Sequence, residues 1–135
     1  MAMTSTTQTP TQVTEEVHQQ LMDWHKRCQV CGEAFALHAH HRIFRSEGEQ
    51  GVEEFLRRAI PIYKETYQRD IQPWSLHSIQ NLVVICNDCH EGDGGRGVHG
   101  GNEILRQKLR WSFTCPRTGF NIPFKKPDNP FAVTV

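Results

Sequence analysis

The sequence has no surplus of either charge, with 15 Lys+Arg against 15 Asp+Glu in 135 residues. A domain that grips nucleic acid is usually basic, so the overall balance counts against such a partner. The chain also lacks a long hydrophobic run. The longest, Leu82-Val83-Val84-Ile85-Cys86, is far short of the ~20 residues of a membrane-spanning helix. The N-terminus carries neither a basic stretch followed by an apolar one nor Arg-rich amphipathicity, so no secretion or organelle signal is expected. No repeat is visible, no helix-turn-helix or finger array stands out, and the Gly-rich stretch lacks the Lys-Ser/Thr of a nucleotide-binding loop. What remains, 37% apolar and 22% charged, is ordinary for a folded domain, and the length suits one such domain with a modest core.

Against these absences stand five cysteines and eight histidines. In a reducing compartment, where a chain without a leader is expected to stay, cysteines suggest metal or catalysis before disulfides. Cys28-x-x-Cys31 and Cys86-x-x-Cys89 share a two-residue gap. That gap lets two thiolates close on one tetrahedral ion, and four thiolates are the preferred closed shell of structural Zn²⁺. Such a site leaves no coordination position for a substrate. It can add on the order of 10 kcal/mol to folding. The 54 residues between the pairs exceed what a compact zinc ribbon uses, so something substantial sits inside the loop. Cys115 has no partner at suitable spacing and reads as a lone core thiol.

The rest of the chain divides by texture. Residues 1–13, rich in Thr and Gln, read as a disordered tail, and 125–135, with Pro127 and Pro130, as an extended one. Between them lies a single domain, 14–124. Thr14 caps an expected helix over 14–27 with an apolar stripe of Val17, Leu21 and Trp24. Phe35 to Phe44 alternates as a strand does, and Ser46 to Gly51 reads as a turn. Residues 52–69 carry Val52, Phe55, Leu56, Ala59, Ile60, Tyr63 and Tyr67 at helical spacing, with Pro61 expected to kink or split the helix. Trp74 and Leu76 should pack back on the core. Leu82 to Ile85 is a buried strand, and Asn102 caps a last helix to about Trp111 with Ile104, Leu105 and Leu109 facing in. Residues 1–100 hold 9 basic and 13 acidic side chains, and 101–135 hold 6 and 2. Arg106, Lys108, Arg110, Arg117, Lys125 and Lys126 thus form either a basic face for phosphates or a solvated helix and tail.

His38, His40 and His41 lie between the cysteine pairs, and His90 directly follows the last. On a strand, His40 and His41 point to opposite faces, so one metal does not easily take both. One is then a ligand and the other a free base, unless both are surface or satisfied core groups.

Taken together, Cys28-x-x-Cys31, Ala39-His40-His41-Arg42-Ile43 and Asn81-Leu82-Val83-Val84-Ile85-Cys86-x-x-Cys89-His90 resemble the HNH endonuclease family in its four-cysteine, zinc-bearing form, over about residues 28–100. The resemblance implies an α+β protein with a small ββα-metal core. Residues 28–47 and 79–112 would form that core, flanked by helices, with 48–78 a helical insertion leaving the hairpin. His41 resembles the general base that deprotonates the attacking water. His40 and His90 resemble the ligands of a catalytic divalent cation (Mg²⁺, Mn²⁺, Co²⁺, Ni²⁺ or Zn²⁺), and Asn81 resembles the family's central Asn, which orients the base. Many members carry a further metal-binding His one helical turn on. Here the glycines of 92–97 disfavour a continued helix, and His99 either reaches the metal around a flexible loop or stands exposed, with Asp88 and Asp93 as lesser oxygen ligands.

The implied chemistry is hydrolysis of DNA phosphodiester bonds, by nicking or double-strand cutting, with Arg42, Arg45 and Arg96 holding the backbone. The alternative is a catalytically silent, zinc-stabilised module that binds DNA or protein. Small proteins of this kind resemble those of phages and bacteria, which implies the cytoplasm of a bacterial or phage-infected cell. It also implies a protein partner from packaging, restriction or defence.

Overall fold

The computed structural model describes residues 12–124. The expected tails, 1–13 and 125–135, lie outside the described residues apart from Gln12 and Val13. The described residues are α+β, mixing four α-helices with two small two-stranded sheets. Among the described residues, no helix is long and apolar enough to cross a membrane.

Helix α1 (Glu15–Trp24) opens as expected, with the Thr14 hydroxyl accepting from the Val17 amide and two glutamates in the first turn, where the helix dipole favours them. It ends three residues short of expectation because His25 leaves the helical region and its Nε2 meets the Gly119 carbonyl at 2.9 Å. Strand β1 (Leu37–His41) pairs antiparallel with β2 (Leu82–Cys86), from Leu37 opposite Cys86 to His41 opposite Leu82. The expected strand over Phe35 to Phe44 is thus trimmed at both ends.

All five residues of β2 are buried because both of its faces are covered. Leu82 and Val84 pack with Leu21 of α1, while Val83 and Ile85 pack with Leu105 and Leu109 from the other side. This is why the strand reads as a continuous apolar run rather than an alternating one. The chain then turns directly into α3 (Asn87–Glu91), whose N-cap is the Cys86 sulfur.

Between the two strands runs α2 (Gly48–Tyr67). Where a turn was expected, Arg45–Glu47 form a 3₁₀ turn that feeds straight into this helix. Pro61 does not split it. The proline sits on the exposed side, while Phe55, Leu56 and Ala59 before it and Tyr63 after it are held in the same core. Rather than standing away from the domain, α2 shares an aromatic core with the C-terminal part. The partners are Trp111, which follows α4 (Glu103–Arg110), together with Phe113, Ile122 and Phe124 on or beside a hairpin absent from the sequence reading, β3 (Ser112–Thr114) with β4 (Asn121–Pro123).

Phe55 meets Trp111 edge-on at 4.8 Å, and Trp74 lies nearly parallel to Phe124 at 5.9 Å, so Trp74 and Leu76 do pack back as expected. In α4 the Asn102 cap is as expected, and Leu105 and Leu109 are buried. Ile104 instead points outward and is 69% exposed, because Leu105 and Leu109 already supply the i, i+4 stripe.

Candidate metal centres and active site

Each cysteine pair sits in a closed turn. In the first, the amides of Val30 and Cys31 both point at the Cys28 sulfur at 3.4 Å, and Gly32, at φ +84°, returns its amide to the Cys28 carbonyl. In the second, the Cys89 amide meets the Cys86 sulfur at 3.5 Å. The Gln29 amide bonds the Val84 carbonyl, which docks the first turn on β2 beside the second. The four sulfurs all lie within 4.8 Å of one another, with Cys31 and Cys86 at 3.6 Å. A tetrahedral ion with ~2.3 Å bonds to sulfur separates its ligands by ~3.8 Å.

The donor set therefore fits structural zinc, and none of the four thiols is spent in a disulfide. Burial pushes the Cys28 thiol up, but the amides of Cys31, Cys86 and Val30 outweigh it and hold the group at about 7. Burial and the neighbouring thiols push Cys89 up. A cation is what lets four crowded sulfurs shed their protons together.

A second cluster lies on the same framework. β1 sends His40 to one face, where it meets His90 from α3 and His99 from the 3₁₀ turn Val98–Gly100. Ring centroids are 5.1 Å apart for His40–His90, 5.5 Å for His40–His99 and 4.8 Å for His90–His99, with one nitrogen from each within 4.8 Å of the others. His40 Nε2 and His90 Nδ1 are buried without a hydrogen-bond partner, although a Glu91 carboxylate oxygen stands 3.5 Å from the latter. Burial, with the neighbouring histidines behind it, lowers His40 to about 2 and also lowers His90. Three imidazoles that each bring a nitrogen within 4.8 Å of the other two form a donor set a divalent cation can use.

His99 thus stands beside His40 and His90 in a group that could hold a metal ion, although its side chain remains exposed. The glycine stretch that delivers it is not a slack loop. Its amides and carbonyls are paired internally, among them Gly97 to Gly92, Gly100 to Gly97 and Gly95 to Gly100. A Cβ on Gly100 would fall 1.7 Å from the Gly92 carbonyl oxygen, so only glycine permits this approach. Asp88 instead pairs with Arg96, and neither Asp88 nor Asp93 belongs to a metal-competent group among the described residues.

His41 faces the other way, as strand geometry requires. Its Nε2 lies 2.9 Å from Nδ1 of His77, with the rings nearly perpendicular. Burial, with His77 and Arg45 adding, lowers His41 to about 4. The Asn81 side chain directs its hydrogen bonds to groups other than His41. Its Oδ1 accepts from the Ile43 amide at 2.9 Å, and its Nδ2 donates to the carbonyls of Ile43 and Leu76 at 3.2 and 2.8 Å. Its own carbonyl takes the Arg42 amide. Asn81 therefore grips the chain just after His41 and just before His77. His77 was not singled out in the sequence, since it lies outside the motif and in a segment without periodicity.

The three-histidine cluster and His41 open on one cleft of about 400 Å³, lined by His40, His41, His90 and His99 with Ala39, Phe44, Arg45 and Ser46. Of the three arginines expected to hold a phosphate backbone, Arg45 alone lines it. Arg42 is 1% exposed, with its guanidinium bonded to the Leu109 carbonyl and to the hydroxyls of Ser112 and Thr114, so it ties the chain just after β1 to α4 and β3 and is not presented to a phosphate. Burial lowers its pKa to about 9. Arg96 is outside the cleft lining and engaged with Asp88. The chain matches no family model, no curated protein and no solved structure.

Proposed function

We propose that this protein is a metal-dependent endonuclease of the HNH type that hydrolyses DNA phosphodiester bonds. The observation carrying this reading is the division of labour across β1. His40 joins His90 and His99 in a cluster with unpartnered buried nitrogens, while the adjacent His41 is kept off that cluster yet lines the same cleft. A binding module would need the four cysteines alone.

In this mechanism His40, His90 and His99 would hold the divalent cation, which, when bound, offsets the charge that develops on the phosphate and the leaving oxygen. His41, held neutral by burial, accepts the proton of a water that attacks phosphorus from within the cleft. The bond from phosphorus to the 3′ oxygen breaks as that oxygen leaves. Arg45 at the rim contacts a backbone phosphate and sets the strand's approach. Phe44, 4.9 Å from His99 and 5.7 Å from His40 between ring centroids, closes one wall and limits water there. Zinc at Cys28, Cys31, Cys86 and Cys89 would hold β2 and α3 in place and take no part in the chemistry.

The test is incubation of the purified protein with supercoiled plasmid in Mg²⁺, Mn²⁺, Co²⁺, Ni²⁺ or Zn²⁺, beside EDTA and the His41→Ala variant. Relaxed or linear product that depends on metal and disappears in both controls is expected. An intact plasmid with every metal, from folded zinc-loaded protein, would replace this reading with a silent DNA- or protein-binding module.

A further inference from the structure

We propose that His77, delivered by the return loop of the helical excursion, is a positioning residue that fixes the tautomer and direction of His41. This rests on the nuclease reading and adds to it a role for a segment that no motif marks.

The geometry leaves two arrangements. A neutral imidazole carries one N–H, so across the 2.9 Å contact either His41 Nε2 donates to His77 Nδ1 or the reverse. If His77 Nδ1 donates, His41 must carry its proton on Nδ1 and has no lone pair left for a water. If His77 Nδ1 accepts, His41 Nδ1 is bare, and it is the nitrogen left for the cleft because Nε2 is taken. The acceptor state of His77 is therefore the one compatible with a base.

The chain around His77 is built to hold it there. The preceding Leu76 is anchored through both backbone groups, its amide on Glu49 of α2 at 3.0 Å and its carbonyl on Asn81 at 2.8 Å. Ser75 and Ser78 close the loop on either side, through the Ser78 hydroxyl and the Ser75 carbonyl. His77 itself is 7% exposed, so water does not compete freely for its ring. The segment between the two strands thus returns to the site with a side chain the site uses.

Three variants and one spectrum test this. Asn at position 77 places a carbonyl oxygen close to where Nδ1 stood; Phe fills the ring's volume with no acceptor; Ala supplies neither. In plasmid cleavage by zinc-loaded protein, His77→Ala and His77→Phe should each lose ~10–100-fold in kcat with KM unchanged, while His77→Asn keeps most of it. A merely packing role predicts the opposite order, with Phe above Asn, and that order would overturn the proposal. Long-range ¹H–¹⁵N correlation of the folded wild type should report a bare Nδ1 and a protonated Nε2 on His41. A protonated Nδ1 overturns the proposal without recourse to activity. A wild type inactive with every metal sinks the nuclease reading and this role with it. An active wild type indifferent to His77 removes only the role of His77.

Discussion

Replacing Asn81 with Ala tests the joint on which both the fold and the site depend. The side chain is 1% exposed and makes three hydrogen bonds, all to backbone groups of buried Ile43 and Leu76. Alanine leaves one amide and two carbonyls without these partners. Each stranded buried group costs ~1–3 kcal/mol, and carbonyls, with two lone pairs, fall at the low end. The sum is about 3–4 kcal/mol, a large part of the ~5–15 kcal/mol that stabilises a typical domain. Asn81→Asp should lose at least as much, because it keeps the bond to the Ile43 amide but turns an oxygen towards the two carbonyls. Urea denaturation of zinc-loaded protein at fixed free zinc gives the midpoint and slope, and unchanged slopes license comparing midpoints. In the folded fraction, cleavage should fall further than stability accounts for, since the His41 and His77 segments lose their common anchor. A loss below about 1 kcal/mol would mean the three contacts are replaced by water or by relaxation, and the argument for Asn81 as the joint would fail.

Arg42 and Arg45 should separate cleanly. Arg42→Ala breaks a buried cation's network and should cost ~3–5 kcal/mol in denaturation, whereas Arg45→Ala should leave stability unchanged and lower the salt dependence of DNA affinity by about one unit of slope. Gly100→Ala should displace His99 and weaken metal binding at the histidine cluster by at least tenfold in titration calorimetry, with zinc retained at the cysteines. Burial holds His41 at about 4 against 6.5 for the exposed group, so between these values the unfolded chain binds more protons and stability falls as the pH drops below 6.5. His41→Asn should therefore lose less stability than the wild type between pH 6.5 and 4.5, and equal losses would contradict the burial argument.

Much of this was legible locally. The Thr14 and Asn102 caps, the two cysteine turns and the opposite directions of His40 and His41 follow from short-range rules, because capping, the CxxC gap and the two-residue strand period act within a few residues. The buried run of β2 was legible for the same reason. The strand length, the start of α2 and the continuity through Pro61 were not, since they are settled by what packs against each segment.

The sequence by itself determined which residue types are available for chemistry and which of them are neighbours along the chain. It placed four thiols in matched turns and four histidines in two short segments, and it put an Asn ahead of the apolar strand. Only the tertiary structure decided which of these meet. It turned Arg42 inward, because the aligned hydroxyls of Ser112 and Thr114 exist only once β3 lies beside β2. It brought His99 onto His40 and His90, because three glycine backbones approach within distances no side chain allows. And it set His77 against His41 across 36 positions of sequence, a contact that depends on α2 sharing the aromatic core with the C-terminal hairpin. Local rules act along the chain over one or two turns, whereas burial and hydrogen-bond satisfaction act across it.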